Sequence, residues 1–122
     1  MSRRAKDEER EQRIAMEAIV DAYGPEEQAL GWHCYLSEKL QFPFSAHCVK
    51  RRATSPLQPG DKVKVVDMAP EEECEHEMFV IIQRKSSRLA VPLMQLEGVQ
   101  TDEETQEAIE DWHYWVDRGH QL

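Results

Sequence analysis

Apolar positions change their spacing twice along this chain, dividing it into a helical, an extended and a second helical stretch. From Arg13 onward, Ile14, Ala15, Ala18, Ile19 and Ala22 recur at three- and four-residue steps, the stripe of an amphipathic helix. Gly24-Pro25 stops that helix. Pro25 also suits the first turn of a second one, where its missing N–H costs nothing and Glu26 and Glu27 meet the positive end of the dipole. Ala29, Leu30, His33 and Leu36 or Ser37, with Trp32 and Leu40 alongside, give this second helix a broad face toward the first, which predicts a helical hairpin. Phe42 is held out of helix by Pro43, so Phe42 and Phe44 are expected to pack the hairpin onto the next segment of the chain.

Beyond Phe44 the period falls to two. Residues 45–51 alternate loosely and form a candidate first strand, followed by a turn-rich connector over 54–60. In residues 62–68, Val63 and Val65 share one face while Lys62 and Lys64 share the other, until the run shifts at Val66 and Asp67. Residues 78–82 and 89–93 read as two more strands around a polar turn at 85–88, with an acidic loop ahead of them. After Gly98, Thr101 predicts an N-cap, with Glu104 completing a capping box, for a helix reaching Arg118-Gly119. Its apolar face is Ala108, Ile109, Trp112, Trp115 and Val116; Glu103, Glu107, Glu110 and Tyr114 take the other side, with Glu104 and Asp111 beside them. The expected fold is α+β: an N-terminal helical hairpin and a C-terminal helix packed on a small curled antiparallel (SH3-like) sheet. Residues 1–12 are expected to be a charged flexible leader, and 13–122 a single domain.

Charge sharpens this picture. The net charge is -9, from 24 acidic and 15 basic residues, and the acids are not mixed evenly among the bases. Asp67, Glu71, Glu72, Glu73, Glu75 and Glu77 fall in a run without Lys or Arg, as do Glu97, Asp102, Glu103, Glu104, Glu107, Glu110 and Asp111. Such fields repel phosphate backbones and anionic lipid and gather cations. The short basic patches, Arg3-Arg4 and Lys50-Arg51-Arg52, do not offset this, so no nucleic-acid or membrane partner is expected. Three cysteines without a CxxC pair fit a reducing compartment better than a disulfide scaffold. With no signal-type or membrane-spanning apolar run, the expectation is a cytoplasmic monomer.

The acidic loop is the best lead to chemistry. Pro70-Glu71-Glu72-Glu73 suits a turn from which the carboxylates fan outward, at the cost of their mutual repulsion. A divalent cation removes that cost. Ca²⁺ accepts about six to eight hard oxygen ligands in adaptable geometry, whereas Mg²⁺ holds a tighter octahedron and sheds water reluctantly. The EF-hand order of ligands is nowhere present, and Asp102-Glu103-Glu104 lacks its glycine and spacing.

Several separated strings point the same way: Ala29-Leu30-Gly31-Trp32-His33, Leu40-Gln41-Phe42-Pro43-Phe44, Met68-Ala69-Pro70-Glu71-Glu72-Glu73-Cys74, Leu89-Ala90-Val91-Pro92-Leu93 and Asp111-Trp112-His113-Tyr114-Trp115. Together they resemble the small non-EF-hand calcium-binding protein family of cyanobacteria, over roughly residues 17–120. The resemblance implies Ca²⁺ binding through clustered surface acids, with buffering or storage of calcium as the role. Local chemistry selects the candidate ligands: Glu71, Glu72, Glu73, Glu75 and Glu77, then Asp102, Glu103, Glu104 and Glu107 as a second group. Glu38 and Asp61 are further oxygen donors, read also as a helix-surface acid and a turn former.

Other chemistries are less well supported. His33-Cys34, His47-Cys48, Cys74 and His76 have zinc-ligand types, but adjacent residues point about 100° apart in a helix and oppositely in a strand. No nucleophile elbow, P-loop or HExxH occurs, so no enzyme is expected. The alternative to calcium binding is an SH3-like protein-interaction module anchored by exposed members of Trp32, Trp112, Tyr114 and Trp115; its protein partner is not specified by the sequence.

Overall fold

The computed structural model describes residues 6–122. Residues 1–5, with Arg3, Arg4 and that part of the expected leader, lie outside the described residues. Helix α1 spans Glu8–Arg13, capped by the Asp7 carboxylate, which accepts from the Arg10 N–H at 3.1 Å. It runs on as a π-helical turn over Ile14–Ala18. The helix thus opens ahead of the apolar stripe, because Arg10 and Arg13 reach a carboxylate on the C-terminal helix. Helix α2 covers Pro25–Lys39, with Pro25, Glu26 and Glu27 in its first turn. The π-turn crosses α2 at Gly31, where any Cβ would run into the Ala18 carbonyl oxygen.

Five antiparallel strands follow, β1 (Phe44–Cys48), β2 (Lys62–Met68), β3 (Phe79–Arg84), β4 (Ser87–Pro92) and β5 (Leu96–Val99), arranged β4-β3-β2-β1-β5. β1 ends at Cys48, short of its expected extent, and the Lys50 carbonyl turns back to accept from the Gln95 side chain at 3.1 Å. In β2, Val65 faces Ile82 and Asp67 faces Ile81, so Val66 is bulged out at the point where the alternation shifts. The sheet corrects the sequence-based expectation of a small curled, SH3-like one. It is open, with β4 and β5 as opposite edges and no pairing between them. A short 3₁₀ turn over Leu93–Gln95 carries the chain from β4 to β5. Period-two alternation fixes which face of a strand is buried but carries no information on whether a sheet closes.

Helix α3 (Glu103–Asp117) begins one residue later than its capping box implied: Asp102 is the N-cap, accepting from the Thr105 N–H at 2.7 Å. Thr101 instead donates to Gln106 Oε1, and the Thr105 hydroxyl accepts from the Gln41 N–H. The core is one cluster in which α2 and α3 meet through Trp32, Tyr35, Trp112 and Trp115, and to which β1, β2, β3 and β4 contribute Phe44, Val65, Val80, Ile82 and Val91. Trp32 and Trp112 pack edge to face, their rings 5.1 Å apart. Tyr114 and Asp111, expected on the polar side of α3, are both buried. All four aromatic residues that an interaction module would have used as exposed anchors, Trp32, Trp112, Tyr114 and Trp115, are therefore in the core. Among the described residues no helix is long and apolar enough to cross a membrane.

Candidate functional site

The acidic loop owes its shape to two buried residues. Ala69 and Cys74 turn inward, and the exposed acids between and after them are thereby forced outward. Pro70 starts a 3₁₀ turn over Glu71–Glu73, closed by Glu73 N–H to the Pro70 carbonyl and Cys74 N–H to the Glu71 carbonyl. The Cys74 sulfur accepts from the Phe79 N–H at 3.4 Å, and the Ala69 N–H donates to the Phe79 carbonyl, so the loop closes on the start of β3. Across the loop, His33 of α2 donates from Nε2 to the Ala69 carbonyl at 2.7 Å. That contact brings the first turns of α2 against the acids.

Between them lies a cleft of about 550 Å³, lined by Pro25, Glu26, Ala29, Leu30, His33, Glu71, Glu72, Glu75 and His76. Four carboxylates and no Lys or Arg face it. Glu38 lies outside that lining, one turn along α2 from Cys34, whose thiol lies 3.7 Å from its carboxylate. Desolvation, then the charges of Glu38 and, more weakly, Glu71, push the Cys34 thiol up from its ordinary value, so the fields of α2 and the loop overlap there.

The remaining sequence-based candidates are dispersed. Glu73 projects from the 3₁₀ turn outside the cleft lining. Glu77 is gripped by Arg52, its two oxygens accepting at 2.8 and 2.7 Å. Asp61 accepts from the Gln58 N–H in the turn before β2. Asp102 caps α3, Glu103 and Glu104 stand exposed in its first turn, and Glu107 pairs with Arg13 at 3.5 Å. The structure thus brings Glu71, Glu72 and Glu75 together and adds Glu26, which the sequence offered only as a partner of the helix dipole. No local signal could have joined Glu26 to a loop more than forty positions away; the joining element is the fold.

Cys48 and Cys74 are buried while Cys34 is exposed. Among the described residues no three His, Cys, Asp or Glu side chains converge closely enough to hold an ion as they stand. The donor set nonetheless fits a hard cation. It is rich in carboxylate oxygen, lies in a base-free cleft, and is carried in part on exposed turn residues that can turn inward with little disturbance to the core.

Across residues 12–116 the chain matches a protein-family model described as calcium binding. It is similar to the crystal structure of Anabaena CcbP, with 38% identity, a TM-score of 0.89 and 100% of each chain covered. It is similar also to a calcium binding protein in the calcium-binding form, with 38% identity, a TM-score of 0.85 and 96% of each chain covered. No curated protein matches it.

Proposed function

Because this chain belongs to the CcbP calcium-binding family, we propose that it binds Ca²⁺ reversibly in the cleft between α2 and the acidic loop and serves to buffer or store the ion. Glu26, Glu71, Glu72 and Glu75 would supply the carboxylate oxygens. The observation that carries this reading is the cleft itself, with four acids and no base in its lining. Like charges gathered along one cleft repel, by less the farther apart and the better solvated they are, and a cation among them offsets that repulsion. Bound there, Ca²⁺ supplies double positive charge and a loose preference for oxygen number and angle. His33 is engaged with the Ala69 carbonyl through Nε2 and acts as a brace for the loop.

Dispersed acids such as Asp102, Glu103, Glu104 and Glu107 add to the field that draws cations toward the protein without closing around one. Titration calorimetry in Mg²⁺-containing buffer at physiological ionic strength tests the reading. Saturable Ca²⁺ heat is expected. Its absence defeats the proposal, and binding that disappears as salt rises reduces it to a diffuse counterion atmosphere.

A further inference from the structure

Glu77 is the acid of the loop whose two oxygens are both committed to a guanidinium: Arg52 Nη1 lies 2.8 Å from Oε2 and Nη2 lies 2.7 Å from Oε1. Arg52 comes from the connector between β1 and β2. It forms a two-point bond across 25 positions of sequence, with its side chain 35% and that of Glu77 23% exposed. At the other end of the loop, Ala69 is held by its N–H on the Phe79 carbonyl and by its own carbonyl on His33. The exposed acids Glu71, Glu72 and Glu75 hang between these two anchors.

We propose that Arg52 is a positioning residue for the calcium cleft, holding Glu77 as a strut that fixes the outgoing end of the acidic loop rather than leaving it as a ligand. This rests on the calcium reading of the cleft. A two-point guanidinium–carboxylate bond fixes direction as well as distance, and a loop held at both ends loses less conformational freedom when its acids close on an ion. Arg52 thus acts against its own charge: its positive field opposes cation binding, while its grip on Glu77 favours it.

That opposition gives the test its sign. Calorimetric Ca²⁺ affinity and the melting temperature of the ion-free protein are measured for wild type, Arg52→Met, Glu77→Gln and the exchange Arg52→Glu with Glu77→Arg. The strut predicts that Arg52→Met weakens Ca²⁺ by about three- to tenfold, that Glu77→Gln does likewise, and that the exchange, which keeps the net charge, restores affinity to within about twofold. Affinity equal to or tighter than wild type in Arg52→Met overturns the proposal, since a cation near the cleft then acts through its field alone. Failure of the exchange to rescue also overturns it, because Glu77 is then needed in its own place as a ligand. A loss of melting temperature with unchanged affinity reduces the pair to a general stabiliser and overturns it too. If Arg52→Met does not fold, Arg52→Lys keeps the charge without the fork, and unchanged affinity there is equally fatal. Absence of Ca²⁺ binding in the wild type defeats the reading of the cleft itself.

Discussion

Arg13 and Asp111 meet fork to fork, Nε on Oδ2 at 2.9 Å and Nη2 on Oδ1 at 2.7 Å, joining the end of α1 to a carboxylate with no exposed surface. Arg10 adds a third bond to Oδ1 at 2.7 Å, and the Tyr35 hydroxyl a fourth to Oδ2 at 2.7 Å. One buried acid therefore ties α1, α2 and α3 together. The arginines remain 18% and 20% exposed, so they retain contact with water while Asp111 depends on its partners.

Removing the charge at that junction should be costly. Asp111→Asn keeps the shape but takes the shared carboxylate from two guanidiniums, leaving Arg10 its longer contact with Glu110 and Arg13 its longer contact with Glu107. Breaking a buried pair in this way costs about 3 kcal/mol, which in a chain of this length lowers the melting temperature by about 10 °C. Calorimetric or circular-dichroism melting measures it, and a shift under about 2 °C would show that the junction carries little stability.

The same junction sets an alkaline limit. Burial, then the hydrogen bond to Asp111, raises the pKa of the Tyr35 phenol, so the folded protein holds that proton more tightly than the unfolded chain. Stability from this source is complete below the unfolded value, about 10, and declines with rising pH as only the unfolded state ionises. The free energy of unfolding should therefore fall above about pH 10. Tyr35→Phe should start less stable by about 1–2 kcal/mol at neutral pH and show a shallower alkaline decline. Parallel curves for the two proteins would remove Tyr35 from the account.

Gly31 tests the crossing of α2 by the π-turn. A methyl group there meets backbone, the Ala18 carbonyl oxygen, rather than a side chain able to swing aside. Gly31→Ala normally favours a helix by about 1 kcal/mol; here it should destabilise by about 2 kcal/mol or more as the turn is pushed away. A neutral or stabilising result in denaturant unfolding would show that the crossing is loose.

These residues also mark how far sequence reading reached. The Glu71-Glu72-Glu73 turn was legible because Pro70 and the charge pattern act locally, and so were the break in alternation at Val66 and Asp67 and most of the apolar face of α3. Asp111 and Tyr114 were misplaced because helical periodicity assigns a polar residue outward, and partners distant in sequence, Arg10, Arg13 and Tyr35 for the one and Glu11 and the Asp7 N–H for the other, make their burial tolerable. Sheet closure and the approach of Glu26 to the acidic loop are both relations between distant segments. Neither leaves a mark in spacing.

The division between cleft and field can be measured by removing equal charge in two places. Glu72→Gln with Glu75→Gln takes two carboxylates from the cleft lining, while Glu103→Gln with Glu104→Gln takes two from the exposed first turn of α3, outside that lining. Both variants lose the same formal charge, so the effect of net charge is matched, and the part that acts through the field weakens as salt rises. If the cleft acids bind the ion directly, the first pair should lower Ca²⁺ affinity more than about tenfold, or about 1.4 kcal/mol, and the second by less than about threefold. Calcium should raise the melting temperature of the wild type and of the α3 variant, because a site assembled by folding binds the native state in preference to the unfolded chain. That rise should shrink in the cleft variant. Equal losses of affinity in the two variants, with equal thermal shifts, would instead mean that the ion responds to total charge and that the cleft between α2 and the loop has no special part in holding it.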